Sequence, residues 1–186
     1  MDSFDLIQML EKYQPEGKEE HCSVEMTKQF LKNSDNCYSR TNKKGHITAG
    51  ALLMSDDGDV LINHHKILDL WLLFGGHSDG NSNSLEVAKR EVKEESGLEI
   101  IDDSNGRVLD VATHIIPENK QKNEPEHIHY DIRFLFFVEK NEANLSNESK
   151  EARWVSIEEA KVLMKDSDKI RLLNKAQKIY LSKNHK

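Results

Sequence analysis

The chain of 186 residues has few cysteines, no long apolar run and no excess of positive charge. Its two cysteines, Cys22 and Cys37, are too few for a disulfide framework and form no C-x-x-C metal motif. No apolar stretch approaches the roughly 18 residues of a membrane-spanning helix. The first five residues include Asp2 and Asp5 and contain no basic n-region, so we expect no secretory signal. These absences predict a cytoplasmic protein in a reducing compartment, without a membrane segment.

The negative charge of the chain limits its partners. A formal net charge of -7 and a pI near 5.7 argue against general binding to nucleic acids or anionic membranes, because both need a positive surface field. A phosphorylated small molecule is compatible with this charge only if positive charge is supplied locally, most economically by a bound metal cation.

Apolar spacing and turn signals predict two helices, several strands, an acidic helix, more strands and terminal helices. The first two helices are predicted over residues 4–13 and through Val24, Thr27, Phe30 and Leu31. Strands are predicted at residues 47–54, 60–62, 71–74, 107–116 and 128–138, with a polar loop at 117–126. Ser156 matches a helix N-cap, and Ile170, Leu173, Ala176 and Ile179 form an apolar stripe on a last helix. This order predicts a mixed α/β fold around one sheet.

The length favours one domain with extensions. We expect residues 1–40 to form a helical extension packed on the core, and residues 41–186 to form the main domain with its C-terminal helices. The apolar stripe of the last helix could serve either the core or a dimer contact, so a homodimer is a further expectation.

Residues 84–95 are predicted to form a helix, because Asn83 offers an N-cap with Glu86 at N3 and Gly97 offers a C-terminal stop. Within this segment, Glu91 is followed by glutamates three and four residues later. Like charges at that spacing oppose helix formation.

The three carboxylates of Glu91, Glu94 and Glu95 converge on one face of this helix. Grouped hard oxygen ligands suit Mg²⁺ or Mn²⁺, and Mg²⁺ commonly joins carboxylates to substrate phosphates. An ordinary solvated helix with i,i+4 ion pairs, such as Glu86 with Arg90, explains the helix equally well when it is considered alone.

The wider register decides between these interpretations. Gly76, then Ser82, then the run from Arg90 to Leu98 resembles the Nudix box, G-x5-E-x7-R-E-U-x-E-E-x-G-U, where U is aliphatic. Every defined position matches except Ser82, where the box has glutamate. The loop GGHSDG at residues 75–80 also resembles a poorly characterised hydrolase branch with a GGHxDG loop. The resemblance extends over roughly residues 45–165 and implies a Nudix-type α/β/α sandwich with a mixed sheet, outside which the N-terminal helices lie.

The resemblance implies a metal-dependent hydrolase that cleaves a diphosphate linkage in a nucleoside diphosphate linked to another moiety, or in a related substituted diphosphate. The cofactor would be Mg²⁺ or Mn²⁺. By this resemblance Glu91, Glu94 and Glu95 are catalytic metal ligands, Arg90 orients Glu91 through a salt bridge, and Gly75 offers a backbone carbonyl to the metal.

Other residues are candidates for substrate binding. His127 and His129 share one strand face beside Glu126, and they could line the substrate cleft or bind a second metal ion. The expected substrate-binding set is Gly75, Gly76, His77, Glu126, His127, His129 and Arg133. For the general base we favour Glu91 over three glutamates of the polar loop, Glu118, Glu124 and Glu126.

Ser82 supports an alternative function. A serine hydroxyl cannot supply the charge of the missing glutamate, although it could hold a metal-bound water and Asp79 in the same loop could compensate. The alternative is a catalytically silent Nudix-fold ligand sensor or interaction domain.

Overall fold

The computed structural model describes residues 3–120 and 123–184. In these ranges the helices are α1 (Ser3–Lys12), α2 (Gly17–Asn33), α3 (Ser84–Ser96), α4 (Ile157–Met164) and α5 (Ser167–Asn184). The strands are β1 (Gly45–Met54), β2 (Val60–His65), β3 (Trp71–Leu72), β4 (Phe74–His77), β5 (Ile100–Asp102), β6 (Val108–Ile116), β7 (His127–Val138) and β8 (Ser149–Val155). A 3-10 turn occupies Ser104–Gly106. None of the described helices is long and apolar enough to cross a membrane.

The strands form one mixed sheet around β1 and β7, which run parallel from Gly45 opposite Ile128 to Met54 opposite Phe137. Antiparallel β4 pairs with the middle of β1, from Thr48 to Ala51, and β2 pairs with its end. On the other side, β6 and β5 pair with β7, while β3 and β8 flank β2. The parallel pair brings the N-terminal ends of β1 and β7 side by side.

The two faces of the sheet carry separate helical layers, because side chains along β1 alternate between them. Ile47, Ala49, Ala51 and Leu53 pack in one cluster with residues of α1, α2 and α3. Leu52 and Met54 of β1 pack in the other cluster with residues of α4 and α5. This arrangement confirms the expected α/β/α sandwich.

The N-terminal helices share the core of the main body. Leu6 and Leu10 of α1 and Phe30 of α2 are buried in the same cluster as β1. Phe4 belongs to the predicted stripe of the first helix, and its side chain lies outside the described residues. The boundary at residue 40 stays a prediction, because this shared core does not by itself locate the end of an extension.

Buried ion pairs also tie α2 to α5. Both carboxylate oxygens of Glu20 accept hydrogen bonds from Lys175 Nζ at 2.5 Å, and both side chains are buried. Arg171 of α5 holds Asp110 of β6 at 2.8 Å. The C-terminal helix is thus joined to the extension by charge, whereas Leu173 and Ala176 of its apolar stripe are buried in the cluster on the other face of the sheet.

The strand predictions differ from the structure in two ways. β5 and β8 were not predicted, since β5 has three residues and β8 mixes charged and apolar residues. Residues 71–74 form two strands instead of one, because the chain crosses at Leu73 from pairing with β2 to pairing with β1. Gly75 and Gly76 therefore lie inside β4, where their backbone faces both β1 and α3.

Candidate active site

Helix α3 begins and ends as its sequence predicts. The Asn83 side chain accepts a hydrogen bond from the backbone N–H of Glu86, and Gly97 ends the helix with φ of 70°. Ala88 and Val92 are fully buried against the sheet. This anchoring directs the acidic side of the helix toward β4.

Glu91 lies between Arg90 and the backbone of β4. Its Oε1 is 2.5 Å from Arg90 Nη2, and the same nitrogen donates to the carbonyl oxygen of His77 at 2.7 Å. A β-carbon at Gly76 would be 2.6 Å from Glu91 Oε2, so only glycine leaves room for this carboxylate. The Glu91 side chain is 13% exposed.

Glu95 is held by the other glycine of the pair. Its Oε2 accepts a hydrogen bond from the backbone N–H of Gly75 at 2.8 Å. Burial raises the pKa of Glu95 to about 7, and the nearby carboxylates of Glu91 and Glu148 add to the rise, whereas the Gly75 hydrogen bond opposes it. Burial also raises the pKa of Glu91 despite the hydrogen bond from Arg90.

Glu94 differs from its two neighbours because it faces solvent. Its side chain is 61% exposed, and its Oε2 is 3.9 Å from Arg90 Nε. Asp79, in the loop between β4 and α3, has φ of 49° and accepts a hydrogen bond from Arg40 at 2.9 Å. The Asp79 charge contributes to the raised pKa of Glu91, so it acts on the same site. Ser82 lies in the same loop, directly before the N-cap Asn83 of α3.

The donor set fits Mg²⁺ or Mn²⁺ by its chemistry. Glu91, Glu94 and Glu95 offer hard carboxylate oxygens. Burial is the main cause of the raised pKa values of Glu91 and Glu95, and neighbouring carboxylates add to it; a divalent cation would compensate this negative charge. In the described ranges, however, the three side chains whose ligand atoms all lie within 4.8 Å of one another are histidines, His46, His127 and His129, and not these glutamates. The glutamate side chains would have to rotate to share one ion, and the roles predicted for them and for the Gly75 carbonyl stay predictions.

Four histidines meet on the opposite face of the sheet from α3. The ring centroid of His46 lies 5.0 Å from those of His77 and His127 and 4.7 Å from that of His129. Burial lowers the pKa of His46 to about 4, helped by His77 and His127 and opposed by the backbone carbonyl of Asn42. Burial and the other three rings lower the pKa of His129 to about 3, and burial lowers that of His77 as well. At neutral pH these three rings are uncharged.

Arg133 is enclosed by acidic side chains beneath α5. It is 2% exposed, and its guanidinium lies 2.7 Å from both Asp131 and Asp168. A third contact, at 2.7 Å, joins Arg133 Nη2 to His114 Nε2. Arg133 is therefore the centre of a buried cluster of ion pairs. Its contact with the substrate stays a prediction.

The glutamates of the polar loop differ in position. Glu118 and Glu126 are exposed, whereas Glu124 is partly buried and its charge acts on His77. None of the described hydrogen bonds or ion pairs connects these three side chains to Glu91.

Two neighbours of the site were not singled out from the sequence as site residues. His46 joins the other histidines only because β1 and β7 pair in parallel, with His46 opposite His129. Glu148 reaches Glu95 because the segment before β8 folds back on the end of α3, where Ser146 N–H bonds to the Glu95 carbonyl at 3.3 Å. The pair His127 and His129 in β7 was a sequence signal that could have pointed to a histidine cluster including His46. No local sequence pattern marks Glu148.

A model of the NUDIX domain family matches residues 44–176, which contain the sheet, the acidic helix α3 and the glycine pair described above. The chain therefore belongs to the Nudix family.

Several proteins resemble this chain. A protein of Lactococcus lactis subsp. cremoris described as "Probable DHNTP pyrophosphohydrolase" is 35% identical over 107 residues, which cover 58% of this chain and 63% of that protein. The match thus spans less than two thirds of that relative. The solved structure of a C. elegans Ap4A hydrolase binary complex has a TM-score of 0.58 at 20% identity, covering 73% of this chain and 98% of that one. The structure of the E. coli dihydroneopterin triphosphate pyrophosphohydrolase has a TM-score of 0.56 at 16% identity, covering 69% and 92%. At these identities the two structures establish a shared fold.

Proposed function

We propose that the protein is a metal-dependent hydrolase that cleaves a diphosphate linkage in a nucleoside diphosphate linked to another moiety, or in a related substituted diphosphate. The observation that carries this proposal is the position of two carboxylates: that of Glu95 accepts a hydrogen bond from the Gly75 N–H, and that of Glu91 lies where a β-carbon at Gly76 would clash. This arrangement holds two carboxylates of the Nudix box against one strand. Two partly buried negative charges are costly in free energy unless a cation joins them. Family membership and the pyrophosphohydrolase relative support the same reaction class.

Bound Mg²⁺ or Mn²⁺ would neutralise diphosphate charge and acidify an attacking water, with Glu91, Glu94, Glu95 and the Gly75 carbonyl as its holders. Arg90 fixes the Glu91 carboxylate by its hydrogen bond and is itself fixed by the His77 carbonyl. We propose Glu91 as the general base, because Arg90 fixes its carboxylate beside the glycine pair.

The substrate is proposed to lie where the glycine pair meets the histidines. His77 follows the pair directly, and its ring faces His46 and His129 on the far side of the sheet from α3. A bound diphosphate at the edge strand β4 would reach both the box carboxylates and this ring. The proposed contacts are Gly75, Gly76, His77, His127, His129 and the exposed Glu126. For Arg133 this role stays a prediction, because its guanidinium is paired with Asp131 and Asp168.

The names of the relatives guide the choice of substrates to test. The Lactococcus lactis protein is described as a probable DHNTP pyrophosphohydrolase, and that relationship supports DHNTP as the first candidate to test. Diadenosine tetraphosphate and ADP-ribose represent the other substituted diphosphates. We further propose a small-molecule substrate in the cytoplasm, with no nucleic-acid or membrane partner, in keeping with the charge of -7. A homodimer stays a prediction.

The test is release of pyrophosphate, phosphate or nucleotide from this panel with Mg²⁺ or Mn²⁺. Glu94→Gln should lower turnover by at least about 100-fold because it removes a proposed metal ligand. Glu86→Gln is the matched control on the same helix; it is exposed and pairs only weakly with Lys89 at 3.7 Å, so turnover should be unchanged.

The same experiment distinguishes the silent sensor, for which Ser82 is the supporting residue. Binding of a panel compound without turnover, unaffected by Glu94→Gln, would replace hydrolysis by ligand sensing. Turnover that survives Glu94→Gln would instead reject the proposed role of α3.

A further inference from the structure

We propose that His46, His127 and His129 bind one transition-metal ion of the Zn²⁺ type, at a site separate from the carboxylates of α3. In the described ranges these three side chains form the group whose ligand nitrogens all lie within 4.8 Å of one another. The proposal does not depend on the hydrolysis proposed above, but it assigns the rings of His127 and His129 to the metal ion instead of to direct contact with the substrate.

The register of the sheet builds this group. His46 of β1 pairs with His129 of the parallel strand β7, so the two rings leave the same face side by side. His127 lies two residues before His129 and shares that face. Three imidazoles on two hydrogen-bonded central strands are held more rigidly than ligands from loops.

The tautomer of His127 is fixed in the form that a metal needs. Its Nδ1 lies 2.8 Å from the carbonyl oxygen of Pro125, which can only accept a hydrogen bond. Nδ1 therefore carries the proton, and Nε2 presents a bare lone pair. Metal-binding histidines are commonly oriented in this way by a hydrogen bond from their second ring nitrogen.

The distance between ligand atoms matches a tetrahedral ion. His127 Nε2 and His129 Nε2 are 3.2 Å apart. Zn–N bonds of about 2.0–2.1 Å place two ligands of a tetrahedron about 3.3–3.4 Å apart. A simple hydrogen bond from His129 to His127 also explains this distance, but it leaves His46 unexplained.

His46 provides the second observation. It is 3% exposed, and although the backbone carbonyl of Asn42 acts on its ring, neither ring nitrogen makes a hydrogen bond of ordinary geometry among the described residues. Burying an unsatisfied polar ring is costly. A metal ion shared with the other two rings would satisfy it, whereas the His127–His129 hydrogen bond would not.

The ligand type selects the metal. Neutral imidazoles suit Zn²⁺, Cu²⁺ or Ni²⁺, whereas Mg²⁺ and Ca²⁺ prefer oxygen ligands. Three protein ligands leave a fourth position, which is typical of zinc sites that exchange a ligand. His77 lies beside this site, with its ring centroid 5.0 Å from that of His129.

The test is Zn²⁺ binding to the full chain, stripped of metal and then held in excess Mg²⁺ so that the carboxylates of α3 are occupied. We expect one tightly bound Zn²⁺ by calorimetry or equilibrium dialysis, and with Co²⁺ the intense visible absorption of a four-coordinate ion. His46→Gln and His129→Gln should each weaken Zn²⁺ binding by at least about tenfold, the effect of removing even an outer partner of a ligand.

Three controls keep the outcome decisive. His21→Gln, at an exposed position on α2, and Glu94→Gln should leave Zn²⁺ binding unchanged. Thermal unfolding of each metal-free variant reports whether it folds; if the fully buried His46 variant does not, the partly exposed His129 variant provides the test. Absence of stoichiometric Zn²⁺ binding, retention of it in folded His129→Gln, or its loss in Glu94→Gln would each overturn the proposal.

Discussion

Gly76 lies directly against the carboxylate of Glu91, so that a β-carbon at residue 76 would be 2.6 Å from Glu91 Oε2. The clash would involve the far end of a flexible side chain, which can move away. Gly76→Ala should therefore leave the fold intact and displace Glu91. Because misplacement of a catalytic group by about 1 Å can cost about 100-fold in rate, we expect a loss of that order in kcat, measured with whichever panel compound is hydrolysed.

Gly75→Ala is the matched comparison, because its β-carbon would clash with backbone atoms and not with a flexible side chain. Its β-carbon would be 2.6 Å from Gly50 Cα and 2.7 Å from the Ala49 carbonyl oxygen, both in β1. Overpacking of this kind typically costs about 1–3 kcal/mol, so this variant should lower the free energy of unfolding as well. Equal stability losses in the two variants, or full activity in Gly76→Ala, would contradict the assigned position of Glu91.

Glu95 should make the metal-free protein less stable at alkaline pH. Burial raises its pKa to about 7 from an ordinary 4.5, so the folded protein retains a proton that the unfolded chain has lost. The free energy of unfolding therefore falls as pH rises from about 4.5 to about 7, by up to about 3 kcal/mol, and stays low above that range.

The variant Glu95→Gln isolates this effect, because its amide oxygen can still accept the Gly75 hydrogen bond. Denaturant unfolding in a chelator should find the variant more stable than the parent at pH 8, with little difference at pH 5. Addition of Mg²⁺ should reduce the gap at pH 8, since a cation compensates the carboxylate. An identical pH dependence of the two proteins would show that Glu95 is not desolvated.

Local patterns were sufficient to predict helix α3. Its N-cap at Asn83, its stop at Gly97 and its buried Ala88 and Val92 all depend on residues within a few positions of one another. The strand β1 was also predicted, because the apolar run at residues 47–54 lies between two turns. Its burial on both faces follows from the structure.

Pairing between distant strands was not accessible. Periodicity assigns a residue to a face but does not name the strand beside it, and a shift of one residue would separate the partners. His46 and His129 are 83 positions apart and meet only through the β1–β7 register. Likewise, the ion pairs of Arg133 with Asp110 of β6 and Asp168 of α5 could not be predicted, because they depend on the packing of distant elements.

Glu20 should be a main stabilising residue of the N-terminal helices. Burial opposes its ionisation, but hydrogen bonds from Lys175 and Tyr13 nevertheless hold its pKa below the usual value. Glu20→Gln would leave the Lys175 ammonium buried without its main partner, which typically costs about 3–5 kcal/mol. The free energy of unfolding by denaturant measures this loss. Glu25→Gln, on the exposed side of the same helix, should have almost no effect; similar effects of both would contradict a buried ion pair.

Arg133→Lys separates a structural from a substrate-binding role. The guanidinium contacts Asp131, Asp168 and His114 at once, and a lysine cannot reproduce that planar set of donors. We expect a loss of about 3 kcal/mol or more in the free energy of unfolding, because buried aspartates would lose part of their compensation, with KM little changed in the protein that remains folded. Arg153→Lys, at an exposed ion pair on β8, should leave stability unchanged. An increased KM at unchanged stability would instead place Arg133 in contact with the substrate. In that case the change from guanidinium to ammonium would weaken substrate binding without affecting the folded protein.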